Sequence, residues 1–310
     1  MFYDLNVTWK PDVKEYQTLQ NTIIFLAELG YDVIALNYTI SGKVPADLKC
    51  VIPAELPFEV PAKVKIFRRC TLIFSDPAQN YRLSALAAEY DLLALRPVNE
   101  KSLQNACQSI DCDIISIDLT QRFEKHFKIK MLAPAVEKGI KLEICYSPGL
   151  HTQNDGARRN LISNATQLIR ATRGGRNIII SSEAPSAAGC RGPSDVINLA
   201  AIWGLGQEKG HEAVTKLARH AVVSAQLKRT SYRGVIDVVY GGEKPKPAAQ
   251  DQKGKAQQKK RPADAMDSDV NAKSSDNKPV LSKREQKRQK KALLEIQQGK
   301  DTKVDTTKAQ

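Results

Sequence analysis

The sequence predicts an α/β fold on a parallel sheet, formed by residues 1–240 and followed by a basic tail at 241–310. Three observations carry this expectation. Short β-rich runs recur along the first 180 residues with helical stretches between most of them, the order that produces parallel sheets. Most of these runs are apolar throughout rather than alternating, as strands covered on both faces are. All 18 aromatic residues and all six cysteines precede residue 241, so only that part can bury a core large enough to offset its chain entropy.

The strand candidates are MFYDLNV (1–7), DVIALNY (32–38), KVKIFRRCTLIFSD (63–76), DLLALRP (91–97), DIISIDL (113–119), KLEICYS (141–147) and NIIISS (177–182). Between the first two, residues 12–30 set Val13, Tyr16, Leu19, Ile23 and Leu26 on one side of a helix. Pro11 and Asp12 stand at its start, and Gly30 is placed for a left-handed cap. The stretch 99–110 opens on Asn99, a good helix cap, and 155–175 ends in two glycines. In CRGPSDVINLAAIWGL (190–205), Pro193 suits a first helical turn and Asp195 suits the positive end of the helix dipole. Val196, Leu199, Ala200 and Trp203 then make an apolar stripe that Gly204 ends.

Seven strands suit an open wound sheet or a barrel. No G-x-G-x-x-G follows the first strand and no G-x-x-x-x-G-K-[ST] occurs, so nucleotide-binding wound folds lose their usual support. A TIM-like (β/α) barrel of irregular strand count fits better. The tail has no aromatic residue or cysteine, and 241–280 reads as disordered. One helix is expected at 282–298, where Ser282 and Glu285 have capping-box spacing. Its polar face is nearly all Lys and Arg, so it should fold on an acidic partner if at all.

Net charge is +13: residues 1–240 hold 29 basic against 24 acidic groups, the tail 18 against 10. Such a balance favours a polyanionic partner. Cys50, Cys70, Cys107, Cys112, Cys145 and Cys190 form no C-x-x-C pair and read as reduced thiols rather than a disulfide framework or zinc site. The first residues lack the basic and apolar regions of a signal peptide, and no run approaches a membrane span of roughly 20 apolar residues.

Polar residues collect at strand ends: Asp4, Asn6, Asn37, Asp76, Asp118 and Glu183. Converging carboxylates there could hold a metal and activate water, but acidic residues after strands are also turn formers. No histidine precedes His126, so no metal site and no cofactor are expected. Cys190 stands beside Arg191, which could lower a thiol pKa, but no general base can be assigned. His151 reads as a loop residue. There is no G-x-S-x-G. Arginines instead come in groups suited to phosphate: Arg68 with Arg69, Arg158 with Arg159, Arg170 with Arg173 and Arg176, and Lys228 with Arg229 and Arg233. Arg191, next to the helix start at Pro193, reads either as part of an anion site or as an internal partner of Glu183.

The block RGPSDVINLAAIWGL, with DLNV, LGYDVIALNY, TLIFSDP, YDLLAL, EICYSPGL, RRNLISNA and GGRNIIISS in the same order, resembles the TIM-barrel protein subunit of eukaryotic and archaeal ribonuclease P, a subunit shared with RNase MRP. The resemblance covers residues 1–240 and not the tail. It implies a barrel related to metal-dependent phosphoesterases of the polymerase and histidinol-phosphatase type. Those carry His-x-His on the first strand, where this chain has Asp4-Leu5-Asn6, so their main metal ligands are missing. The family implies that cleavage belongs to an RNA subunit. The protein would bind RNase P RNA and RNase MRP RNA and support removal of 5′ leaders from precursor tRNA, met indirectly, and rRNA processing. It would also bind other protein subunits, including a smaller direct partner, in the nucleus and nucleolus and away from membranes. Arg68, Arg69, Arg158, Arg159, Arg173, Arg176 and Arg191 are the expected RNA contacts. The alternative is a metal-dependent phosphoesterase using the strand-end carboxylates, Asp4 and Glu183 among them.

Overall fold

The computed structural model describes residues 1–231 except 13–14, 43, 46–47, 76–81, 123–126 and 153. The tail and its expected helix at 282–298, with Val13, Asp76, His126 and Arg233, lie outside the described residues. Seven strands are present among them: β1 (Phe2–Thr8), β2 (Tyr31–Ile40), β3 (Lys65–Phe74), β4 (Leu92–Pro97), β5 (Ile114–Ser116), β6 (Lys141–Cys145) and β7 (Ile178–Ser181). The helices are α1 (Tyr16–Glu28), α2 (Leu83–Glu89), α3 (Glu100–Gln108), α4 (Ile129–Glu137), α5 (Ser147–His151), α6 (Asp155–Ala171), α7 (Pro193–Ile202), α8 (Gln207–Val214) and α9 (Lys216–Thr230).

The strands pair in sequence order and every pairing is parallel. The sheet curls until its first and last strands meet. Val7 bridges Ala184 in parallel, and the Glu183 amide donates to the Asn6 carbonyl at 2.7 Å. This is a nearly closed, seven-stranded TIM-like barrel, so the choice between open sheet and barrel falls to the barrel.

Strand residues alternate between two cores. Outward residues such as Ile34, Leu36, Leu72, Leu95 and Ile144 pack under the helices with Ile23, Leu26, Leu103 and Leu168. Inward residues from the first halves of the strands, Tyr3, Leu5, Val33, Ala35, Leu92, Ala94, Ile114 and Ile179, form a separate cluster with Ala218, Ala221, Val222 and Ala225 of α9. The small side chains of α9 let it sit close against the barrel's N-terminal end and stopper it. In β1 the register against β2 gains a residue between Asp4 and Val7. Such a bulge re-aims side chains, and here both Leu5 and Asn6 reach the interior.

The local signals mostly hold, with trimmed ends. The first helix begins at Tyr16 rather than residue 12, and just before it the Glu15 amide donates to the Asp12 carbonyl at 2.9 Å. Gly30 ends it at φ +97°. Asn99 caps α3, its amide donating to Ser102 Oγ at 2.9 Å. Helix α6 stops at Ala171, before both glycines. His151 is the last residue of a short helix rather than a loop residue.

The turn after α6 holds Arg173, Gly174, Gly175 and Asn177 at positive φ. At Gly175, φ is +91° and an added Cβ would stand 2.2 Å from Leu205 Cδ1. A Gly175→Ala variant is therefore expected to lose about 2 kcal/mol, from left-handed strain and displacement of Leu205. Urea denaturation checks this. A loss below about 0.5 kcal/mol would show that the turn relaxes freely.

Candidate functional site

The second halves of the strands aim polar residues into the barrel. At their centre lies Arg69, whose side chain has no solvent exposure. It forms a fork on the equally buried Glu143, with Nη1 to Oε1 and Nη2 to Oε2 both at 2.6 Å. Nη1 also donates to the Leu5 carbonyl at 2.6 Å and Nε to Thr71 Oγ1 at 3.2 Å. Thr71 Oγ1 donates to Asn37 Oδ1 at 2.7 Å, Asn37 Nδ2 to Asn6 Oδ1 at 2.8 Å, and Asn6 Nδ2 back to Glu143 Oε2 at 3.3 Å. The ring of bonds is closed. Burial alone would push the Glu143 carboxyl up, but the Arg69 charge and hydrogen bonds reverse this and hold it at about 2.

Nearer the C-terminal mouth, Arg96 Nη1 pairs with Glu183 Oε1 at 2.5 Å while Nη2 donates to Ser116 Oγ at 3.1 Å. Asp4 is buried, and its Oδ1 accepts from the amides of Ser182 at 3.1 Å and Asn6 at 3.2 Å. Its Oδ2 is buried and has no partner among the described residues. Burial, only partly offset by those bonds, pushes this carboxyl up to about 6. Asp118 bends onto the amide and hydroxyl of Thr120, the turn-forming role open to a strand-end acid. Among the described residues no group of three His, Cys, Asp or Glu is arranged to hold a metal ion. Glu143 and Glu183 are each committed to an arginine.

The seven expected RNA contacts do not form one surface. Arg69 is corrected outright: it is an interior residue locked to Glu143 and presents nothing to a ligand. Adjacent strand residues point to opposite faces, so Arg68 faces out. It is half-buried and pairs with Asp91, Nε to Oδ2 at 3.3 Å. Arg158 and Arg159, in the first turns of α6, and Arg191, before α7, lie at the C-terminal mouth. Arg173 and Arg176 lie at the opposite end, in the turn leading into β7. Arg158, Arg159, Arg173 and Arg176 are exposed and make no ion pair among the described residues. Lys209, which no sequence signal marks, joins the second group by donating to the Gly174 carbonyl at 2.5 Å.

Arg191 does not pair with Glu183, which Arg96 holds instead. Its Nη1 folds back onto the carbonyls of Ala188 at 2.8 Å and Cys190 at 2.7 Å. Its backbone is held from both sides, its amide donating to Tyr146 Oη and its carbonyl accepting from Tyr31 Oη. Arg191 thus braces its loop while keeping an exposed side chain. Cys190 is no activated thiol, because burial pushes it up to about 12 despite Arg191. Lys228 and Arg229 are also committed, to Asp111 and Asp113.

Residues 1–230 match the family described as RNase P subunit p30. The probable ribonuclease P protein subunit 3 of Schizosaccharomyces pombe is 41% identical over 237 residues, covering 76% of this chain and 99% of that protein. The mouse ribonuclease P protein subunit p30 is 32% identical, over 81% of this chain and 94% of its own. The ribonuclease P/MRP protein subunit RPP1 of Saccharomyces cerevisiae is 31% identical, over 78% and 86%. A chain in the cryo-EM structure of archaeal ribonuclease P with mature tRNA shares the fold, with a TM-score of 0.56 at 14% identity, over 78% of this chain and all of that one. The family match spans residues 1–230, and the chain belongs to the p30 family of ribonuclease P protein subunits.

Proposed function

We propose that this chain is an RNA-binding scaffold subunit of the ribonuclease P and RNase MRP particles, supporting 5′-leader removal from precursor tRNA and rRNA processing without supplying catalytic groups. Family membership supports the particle. The observation that carries the scaffold role is the use of the barrel interior: the carboxylates Glu143 and Glu183 neutralise arginines and are not free to hold an ion. RNA subunits and other protein subunits, including a smaller direct partner, are its proposed contacts, and the nucleus and nucleolus its proposed location. Arg158, Arg159 and Arg191 at the mouth, and Arg68, Arg173 and Arg176 at the other end, are the proposed phosphate contacts. Lys209 is added to the second group.

Salt dependence tests this. Each phosphate contact contributes roughly 0.7–0.9 to the slope of log K against log salt. Replacing Arg158 and Arg159 by Ala should make the slope for RNase P RNA shallower by about 1.4–1.8, and replacing Arg173 and Arg176 should do the same. An unchanged slope in both double variants would remove these arginines from the interface. Phosphoester turnover by the isolated protein with Mn²⁺, lost in Asp4→Ala or Glu183→Ala, would overturn the scaffold reading altogether.

A further inference from the structure

We propose that the small cleft between α4 and the turn after α6 receives a single guanine base of a bound RNA strand. The inference rests on the RNA-binding reading above and adds a base-specific site to the second arginine group.

The cleft has a volume of about 100 Å³. Ile129 and Val136 of α4 and Ala171 of α6 give it apolar walls, and Glu137, Arg173 and Arg176 stand at its exposed edge. Sites for free small molecules run to roughly 300–1,000 Å³. This space instead suits one planar group of a larger ligand held from outside. Ile129 is 46% exposed and offers the apolar contact that a base leaving its stack needs.

The charges select the ligand. Arg173, Arg176 and Glu137 line one cleft yet make no ion pair among the described residues. The two guanidiniums suit phosphate. An ionised carboxylate only accepts hydrogen bonds, so the group beside Glu137 must bring N–H donors. An acidic peptide would satisfy the arginines but be repelled by Glu137. An RNA strand meets both demands, with phosphates along its backbone and N–H groups on the edges of its unstacked bases. Among the four standard bases only guanine sets two N–H donors side by side, at N1 and N2, to match the two oxygens of one carboxylate.

The turn holds these groups in place. Arg173 sits at φ +55°, a conformation that a non-glycine residue keeps only when its surroundings impose it. Here the amides of Gly174 and Gly175 both donate to the Ile169 carbonyl, at 2.9 and 3.2 Å, and the Arg176 amide donates to the Thr172 carbonyl at 3.2 Å. Asn177 ties the turn to α4, its Nδ2 donating to the Val136 carbonyl at 2.9 Å. Both walls are set before a ligand arrives, which lowers the ordering cost of binding.

The test uses the full-length chain and two ten-nucleotide RNAs, one all uridine and one with a single central guanosine. The guanosine strand should bind roughly tenfold tighter, the worth of one good bidentate base contact. Glu137→Gln should erase that preference and leave binding of the uridine strand within about twofold. Arg173→Ala with Arg176→Ala should weaken both strands by the same factor, since phosphate contacts carry no sequence information. If that double variant weakens neither strand, the phosphate contacts at this end fail and the base site fails with them. If it weakens both, but the guanosine preference is absent or survives in Glu137→Gln, the base site alone is overturned. A central 6-thioguanosine, irradiated on the unaltered protein, should crosslink within residues 129–137 or 171–176. Crosslinks found only elsewhere overturn the site. A polyglutamate peptide that binds as tightly as the guanosine strand would assign the cleft to an acidic segment and also overturn it.

Discussion

An Arg69→Ala variant is expected to lose about 3–5 kcal/mol, a large share of the roughly 5–15 kcal/mol that stabilises a domain. The loss comes mostly from what is stranded. Glu143 would remain fully buried with its charge uncompensated, and the Leu5 carbonyl and Thr71 hydroxyl would each lose a bond. Glu143→Ala should be comparably damaging, since it leaves the guanidinium alone. Arg69→Met with Glu143→Leu removes both charges at similar volume and should be less destabilised than Arg69→Met or Glu143→Leu alone, a coupling measurable by urea denaturation in the double-mutant cycle of those three variants. If the double variant instead lost the sum of the single effects, the pair would not be the unit described. Arg158→Ala serves as the contrast: it is exposed on the first turns of α6, and its removal should change stability by less than about 0.5 kcal/mol. The same residue type thus holds the fold in one place and is free for a ligand in another.

That contrast marks what the sequence could and could not show. All seven strands were legible, because runs such as IIIS in β7 are apolar throughout, the pattern of strands covered on both faces. Their ends were less so: DIISIDL shortens to Ile114–Ser116 because Asp118 turns onto Thr120. Arg68 and Arg69 were read together as one basic group. The strand period argues against that, since neighbours on a strand face opposite ways, yet it does not say which of the two faces inward. The charges of Arg96 and Glu143 within apolar runs were a visible sign of a polar interior, because a charge in a strand buried on both sides needs a partner. The identity of the partner was not visible, as Arg69 and Glu143 are 74 residues apart. Lys209 was out of reach for the same reason. It meets Gly174 only because α8 packs against the end of the barrel where β7 begins.

The pH profile of stability should carry the signature of two buried carboxyls shifted in opposite directions. Asp4 is raised by burial to about 6, against about 3.9 in an unfolded chain. The folded state therefore binds the Asp4 proton more tightly. The destabilisation from charged Asp4 is fully present above about pH 6 and fades as pH falls towards 4. Glu143 is raised by burial, but Arg69 outweighs this and holds it at about 2. Its stabilisation is complete above the unfolded value of about 4.3 and is lost as pH falls towards 2. The two contributions together place a maximum near pH 4–5 instead of at neutrality. Other groups titrate as well, so the informative quantity is a difference between proteins. The groups close to Asp4 do not blur it: Cys190, Tyr31 and Tyr146 are all pushed upward, chiefly by burial, and stay neutral across this range. Asp4→Asn keeps an oxygen to accept from Ser182 and Asn6 and removes the buried charge. Relative to the parent, it should be more stable at pH 7 by up to about 3 kcal/mol, at 1.36 kcal/mol per pKa unit, and this advantage should shrink towards zero by pH 4. Urea midpoints of both proteins at half-unit steps between pH 4 and 7.5 would trace it. A constant difference across that range would mean that Asp4 does not titrate there, and that its unpartnered Oδ2 is served by a bound water.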